Sequence, residues 1–143
     1  MNRFGRLVEL RKIREEAAAN ALARVLGRIR KNQEEMAALD RETEAEKIEA
    51  KANLISGRAI PPIVYEDFFR GQAVRHQRLV ERHSRLQVEA ENARQVWHGA
   101  RVMLQQAEKL AEKDAKVRAM EGRRKEGKEL DMVGVLGASH PVS

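Results

Sequence analysis

Ser56, Gly57, Arg58, Ala59, Ile60, Pro61 and Pro62 interrupt helix-compatible sequence more firmly than any other stretch of the 143 residues. Gly57 can take the left-handed conformation that ends a helix, and the two successive prolines drive Ile60 and Pro61 out of the α region. Pro62 is suited to open a new helix, because the amide it lacks would have no intrahelical partner there. Glu66 and Asp67 are expected in its first turn, where the helix dipole favours negative charge. The stretch reads as the hinge of a hairpin, residues 56–62, between two helical arms.

The composition agrees with arms and not with a thick globule. Charged residues make up 35% of the chain and aromatic residues 3%, with Ala, Glu, Lys, Leu and Arg dominant. That mixture belongs to long helices and coiled coils, in which each residue buries little. The absence of cysteine removes disulfides and thiolate metal sites and fits a reducing compartment. The first residues scatter Leu7, Val8, Leu10 and Ile13 among Arg3, Arg6, Arg11, Lys12 and Arg14 and lack the continuous apolar core of a signal peptide. No window approaches the roughly 18 apolar residues of a membrane span, so a soluble, cytoplasmic protein without direct membrane insertion is expected. A net charge of +6 allows an acidic protein, anionic lipid or nucleic acid as partner without choosing among them.

From about Arg3 to Ile55 there is no proline. Alternating steps of three and four run through Leu22, Val25, Ile29, Asn32, Met36, Leu39, Thr43, Glu46, Ala50 and Asn53, which is the spacing of a coiled-coil seam. Upstream, Leu7, Leu10, Ile13, Ala17 and Ala21 continue an apolar stripe. After the hinge, about 63–128 forms the second helix, with one row at Tyr65, Gln72, Leu79, Leu86, Ala93, Ala100 and Ala107. A neighbouring row is read at Phe68, Arg75, Arg82, Glu89, Val96, Met103, Leu110 and Val117. Gly71 and Gly99 each cost about 1 kcal/mol relative to alanine, which packing is expected to offset.

The expected fold is therefore all-α: a long antiparallel two-helix coiled coil over 1–131, with an overhanging C-terminal helix and a disordered tail over 132–143. A tight hinge pairs position i with roughly 118 minus i. Trp97 then falls opposite Ala17, Ala18, Ala19 and Ala21, small residues that leave room for an indole. Glu42, Glu44, Glu46 and Glu49 fall opposite Arg70, Arg75 and Arg78. Residues beyond about 116 have no partner, and this overhang carries Lys116, Arg118, Arg123, Arg124, Lys125 and Lys128 beside the basic N-terminus.

No constellation carries chemistry. His76 and His83 are seven apart, where two metal ligands on one helix usually stand four apart, and no carboxylate pair completes a site. Solvated or seam-edge histidines are the simpler reading, and neither metal nor cofactor is expected. There is no glycine-rich phosphate loop or nucleophile elbow, so an enzyme is not expected. Nucleic-acid binding by the basic end is the alternative function, although Glu121, Glu126 and Glu129 interrupt the tract and no aromatics are interleaved. A generic coiled-coil scaffold or chaperone is a third. Tyr65, Phe68 and Phe69 concentrate the aromatics at the start of the second arm, and two adjacent phenylalanines cannot both enter a two-helix seam; either one is core and the other seals the hinge, or an aromatic is exposed for a partner.

Leu7-Val8-Glu9-Leu10-Arg11, the short loop, Tyr65 with Phe68, Trp97, and the closing Arg123-Arg124-Lys125-Glu126-Gly127-Lys128-Glu129-Leu130-Asp131 together resemble the FliJ/YscO family of flagellar and type III secretion export, over nearly the whole chain. The resemblance implies a non-enzymatic, central-stalk-like coiled coil that binds the hexameric export ATPase, promotes its assembly, and links it to the export gate membrane protein and to export chaperones. Such a protein would sit in the cytoplasm, peripheral to the inner-membrane export apparatus, with no nucleic-acid partner. Carried over, the ATPase-facing end includes Arg3, Arg6, Leu7, Arg123, Arg124 and Lys128. The gate-facing surface includes Tyr65, Phe68 and Gln72. Thr43, Glu46 and Ala50 stand where flagellar members often carry tyrosines, and the choice between flagellum and injectisome stays open.

Overall fold

The computed structural model describes residues 3–58 and 60–138. Two helices account for nearly all of them: α1, Gly5–Ile55, and α2, Pro62–Ala138, with no strand among the described residues. They pack against each other antiparallel, as an α-helical hairpin.

The turn forms as its residues dictate. Gly57 has φ of 75°, the amide of Gly57 donates to the Leu54 carbonyl at 3.4 Å, and that of Arg58 donates to the Asn53 carbonyl at 3.1 Å. This pair of bonds around a left-handed glycine is a Schellman cap, which satisfies carbonyls that the end of α1 would otherwise leave open. Pro62 is the first residue of α2, where its missing amide costs nothing, and Glu66 and Asp67 fall beyond the first turn expected for them, so that turn holds no acidic residue.

Packing divides the chain into two units, a hinge unit of Ala18–Trp97 and a terminal unit of Met1–Ala17 with His98–Ser143. In the hinge unit Leu22, Val25, Ile29, Asn32 and Leu39 are buried, and Met36, Thr43, Glu46, Ala50 and Asn53 are half-buried. These are the expected seam positions of α1, without exception. Val25, Ile29, Leu86 and Ala90 form one apolar cluster, and Thr43 bonds Gln72 directly. Both observations fit a register in which facing seam positions add to 115. The expected total of 118 holds at Asn53 and Tyr65, beside the turn, and is three too long for the core. Trp97 is half-buried, and the register sets it level with buried Ala18, inside the alanine run.

On α2, the row Tyr65 to Ala107 is buried or half-buried throughout, as its sevenfold spacing requires. Its companion is not the row beginning at Phe68. In that row Arg75, Arg82, Glu89, Val96, Met103, Leu110 and Val117 are all exposed. The seam instead takes positions one residue later: Phe69, His83, Ala90, Trp97, Leu104 and Ala111 are buried or half-buried, with His76 the exposed member of that row. Valine, methionine and leucine outweigh alanine and histidine in a hydrophobic pattern, which is why the sequence favours the wrong row. Small side chains let the helices approach, and the long ones stay on the flank.

In the terminal unit Phe4, Leu7, Val8, Arg11 and Glu15 are half-buried, whereas Leu10, Ile13 and Ala17, three members of the expected upstream stripe, are exposed. Ala107 is buried, and pairing fades after Asp114: from residue 115 to 134 every side chain is exposed except at Gly127. Here α2 is a lone helix, held by its own short-range ion pairs, Lys116 with Glu112 at 3.2 Å and Arg118 with Asp114 at 3.2 Å. The tail expected from Met132 begins as helix, since α2 continues to Ala138; residues 139–143 lie outside the described ones. Gly134 and Gly137 weaken a helix without forbidding it. Packing does not offset Gly71 and Gly99, because a Cβ at either would meet nothing within 4 Å.

Candidate functional site

Charge is arranged along one flank of the hinge unit. Arg28 faces Glu89 at 3.4 Å, Glu35 faces Arg82 at 3.1 Å, and Glu42 faces Arg75 at 3.8 Å. The paired numbers each add to 117, and the residues step by seven on both helices. The sign inverts between the first rung and the second: α1 contributes the cation at 28 and the anions at 35 and 42. Each pair is about half exposed, so each contributes only about 0 to 1 kcal/mol. Sliding one helix by a heptad would oppose Arg28 to Arg82 or Glu35 to Glu89, so the ladder selects the register more than it stabilises it.

Of the acidic cluster expected to face the arginines, only Glu42 makes its cross-helix partner. Glu44 pairs with Lys47 on its own helix, and Arg70 with Asp67 on its own. Glu46 has its pKa raised, first by the partial burial of its seam position, then by its hydrogen bond to Glu49 and by repulsion from Glu49 and Glu42.

The expected partner residues divide between the two units. Tyr65, Phe68 and Gln72 belong to the hinge unit. The Tyr65 hydroxyl accepts a hydrogen bond from Asn53 Nδ2 at 3.0 Å, which ties the first turn of α2 to the last of α1. Phe68 and Phe69 are both half-buried and meet edge to face, with centroids 5.4 Å apart and planes at 78°. Phe69 takes the seam position and Phe68 the flank. Gln72 is only 5% exposed. Its Nε2 donates to Thr43 Oγ1 at 3.2 Å, the Thr43 hydroxyl donates in turn to the Leu39 carbonyl at 2.9 Å, and Arg75 Nη1 donates to Gln72 Oε1 at 3.2 Å. Its polar atoms are thus engaged within the hairpin.

Arg3, Arg6, Leu7, Arg123, Arg124 and Lys128 belong to the terminal unit. The Arg3 guanidinium lies 5.5 Å from the Phe4 ring centroid, Arg6 is exposed and Leu7 is half-buried. Arg123, Arg124 and Lys128 are exposed on the lone stretch of α2. The register sets Phe4 level with Ala111, so Arg123 stands about 18 Å further along the helix at 1.5 Å per residue. The two basic groups therefore lie in succession along the unit and do not form one cluster.

His76 Nδ1 approaches Asp40 Oδ1 at 3.8 Å, and His83 Nε2 contacts the Gln87 carboxamide at 3.2 Å. Among the described residues no three histidine, aspartate or glutamate side chains converge as metal ligands, and no helix is long and apolar enough to cross a membrane. The clefts beside the charged ladder are open to solvent and are lined by its own arginines and glutamates.

Hydrophobic patterning gives no warning of the surface at the turn. Leu54, Ile55, Ile60, Ile63 and Val64 are all exposed there, whereas the neighbouring aromatics are partly folded away.

Comparison with protein families finds that the model described as "Flagellar FliJ protein" matches residues 1–138. No curated protein and no solved structure matches the chain.

Proposed function

The chain belongs to the flagellar FliJ family, a component of flagellar or type III protein export, and on that premise we propose that it is the non-enzymatic stalk of the export ATPase. The observation that carries this reading is the end of helix pairing after Asp114, which leaves a basic, solvent-exposed helix in the terminal unit. A lone helix presents its whole circumference, so it can enter a ring and contact several subunits. Arg123, Arg124 and Lys128 would meet the ATPase hexamer there, with Arg3, Arg6 and Leu7 following about 18 Å behind. Binding the assembled ring more tightly than free subunits shifts the population toward the ring, which is how a protein without catalytic groups raises turnover.

Tyr65 and Phe68, each partly exposed, are the proposed contacts to the export gate. Gln72, the third position proposed for that surface, is bonded to Thr43 within the hairpin. Export chaperones and a cytoplasmic position peripheral to the inner-membrane apparatus complete the reading. The test is to mix the full chain with its cognate export ATPase and to follow turnover and ring assembly. Both should rise, and Arg123→Glu with Arg124→Glu should remove the effect. No binding at micromolar concentration would sink the proposal. Retardation of DNA or RNA that weakens steeply with salt would favour a nucleic-acid partner instead.

A further inference from the structure

The turn of the hinge unit is apolar on its outside. Leu54 and Ile55 are 82% and 81% exposed, and Ile63, Val64 and Ile60 are 61%, 53% and 37% exposed. Five aliphatic side chains thus crowd the last turn of α1, the loop and the first turn of α2. A hairpin turn facing only water has no use for them, and exposed apolar patches mark contact surfaces.

The charges around them select the kind of contact. Between residues 50 and 65 the ionisable side chains are Lys51, Arg58 and the Tyr65 phenol, with no carboxylate. Neither Lys51 nor Arg58 makes an ion pair among the described residues. Glu49, Glu66 and Asp67 flank this stretch in sequence, and Glu66 lines one cleft with Lys51, Leu54 and Arg58. The aromatic side chains Tyr65, Phe68 and Phe69 are partly withdrawn into the hairpin. Protein-binding hot spots are rich in tryptophan, tyrosine and arginine and poor in leucine and valine. Exposed aliphatic residues with two cations among them, and rings only partly exposed, are chemistry suited to a lipid interface.

We propose that this tip touches a bilayer bearing anionic headgroups. Leu54, Ile55, Ile63 and Val64 enter the boundary between headgroups and acyl chains, and Lys51 and Arg58 meet the headgroup anions. Glu66, beside the same cleft, is repelled by that surface, so contact stays within the outer 5–10 Å or so of the membrane. Neither signal suffices alone: a few aliphatic side chains bind reversibly, and two cations add roughly fivefold each. The contact is interfacial, and it stands whether or not the stalk reading holds.

The experiment is sedimentation of the full chain with vesicles of equimolar phosphatidylcholine and phosphatidylglycerol, alongside vesicles of pure phosphatidylcholine. The chain should sediment with the mixed vesicles and far less with the neutral ones. Leu54→Asp with Ile55→Asp should lower the bound fraction about tenfold or more. Lys51→Glu with Arg58→Glu should lower it at least as far, whereas Lys109→Glu with Lys113→Glu, the same change in net charge elsewhere, should lower it much less. Helical content by circular dichroism checks each variant, and the charge-reversal pair carries the test if the aspartates disturb the turn. Absence of vesicle binding overturns the proposal. So does equal binding by the Leu54, Ile55 variant, which would mean general attraction of a basic chain. Loss of a protein partner by the tip variants without any vesicle binding would replace the bilayer by a protein socket. ATPase stimulation, read in parallel, separates failure here from failure of the stalk reading.

Discussion

Asn32 Nδ2 donates to the Leu79 carbonyl across the hairpin at 3.0 Å, while Asn32 Oδ1 is buried without a partner. A polar residue at 2% exposure between Ile29 and Met36 is a half-satisfied layer in an otherwise apolar stretch. Such a residue costs stability and secures register, because only one alignment gives its amide an acceptor. Asn32→Leu is expected to stabilise the hairpin by about 1 kcal/mol in chemical denaturation. It should also relax the register, so that cysteines placed at facing seam positions cross-link in more than one alignment. A clear loss of stability would mean that the Leu79 bond outweighs the orphaned oxygen.

The Glu35–Arg82 rung tests the ladder. Glu35→Arg should destabilise by about 0.5–1 kcal/mol, since two arginines then face each other at half-exposed positions. Exchanging both residues should restore most of the loss, and the coupling should shrink in high salt. If the exchange restores nothing, the rung does not exist in solution.

Glycine substitutions should change sign with position. Gly57 has φ of 75°, so Gly57→Ala is strained although nothing crowds its Cβ, and a loss of about 1–2 kcal/mol is expected. Gly71→Ala and Gly99→Ala meet nothing within 4 Å and should each gain about 1 kcal/mol. Thermal melts of the three variants decide it; a loss at Gly71 or Gly99 would point to a close contact absent here.

The raised pKa of Glu46 has a definite sign. A carboxyl whose folded value exceeds its ordinary 4.5 favours folding when protonated, and that contribution disappears as pH rises through the raised value. Glu46→Gln should therefore match the parent protein below that window and become progressively more stable than it from about pH 4.5 toward neutrality. A difference independent of pH would contradict the placement of Glu46 beside Glu49 and Glu42.

The core itself is thin. Leu86 is 6% exposed and packs with Val25, Ile29 and Ala90. Leu86→Ala should cost about 2–4 kcal/mol, visible as a lower denaturation midpoint, whereas Val96→Ala on the exposed flank should stay within about 0.5 kcal/mol. Equal effects would restore the row beginning at Phe68 to the seam.

Local chemistry made the hinge, the two helices and the α1 seam legible. Gly57 and Pro62 act through their own backbone restrictions, and the steps of three and four from Leu22 to Asn53 follow from 3.6 residues per turn. The second row of α2 was not legible, because the choice between Phe68 and Phe69, or Met103 and Leu104, is a rotation of one residue that hydrophobicity alone cannot settle. It was settled by where Arg75, Arg82 and Glu89 find opposite charge on α1 and where alanine lets the backbones approach. Of the expected partner residues, Gln72 is spent on Thr43, while Leu54 and Ile55, which belong to no row read from the sequence, face solvent. Sequence by itself thus determined which residues form helices and where the chain turns, since those depend on neighbours in the chain. Tertiary structure alone decided which side chains remain outside, since exposure depends on residues far apart in sequence that the turn at Gly57 brings level.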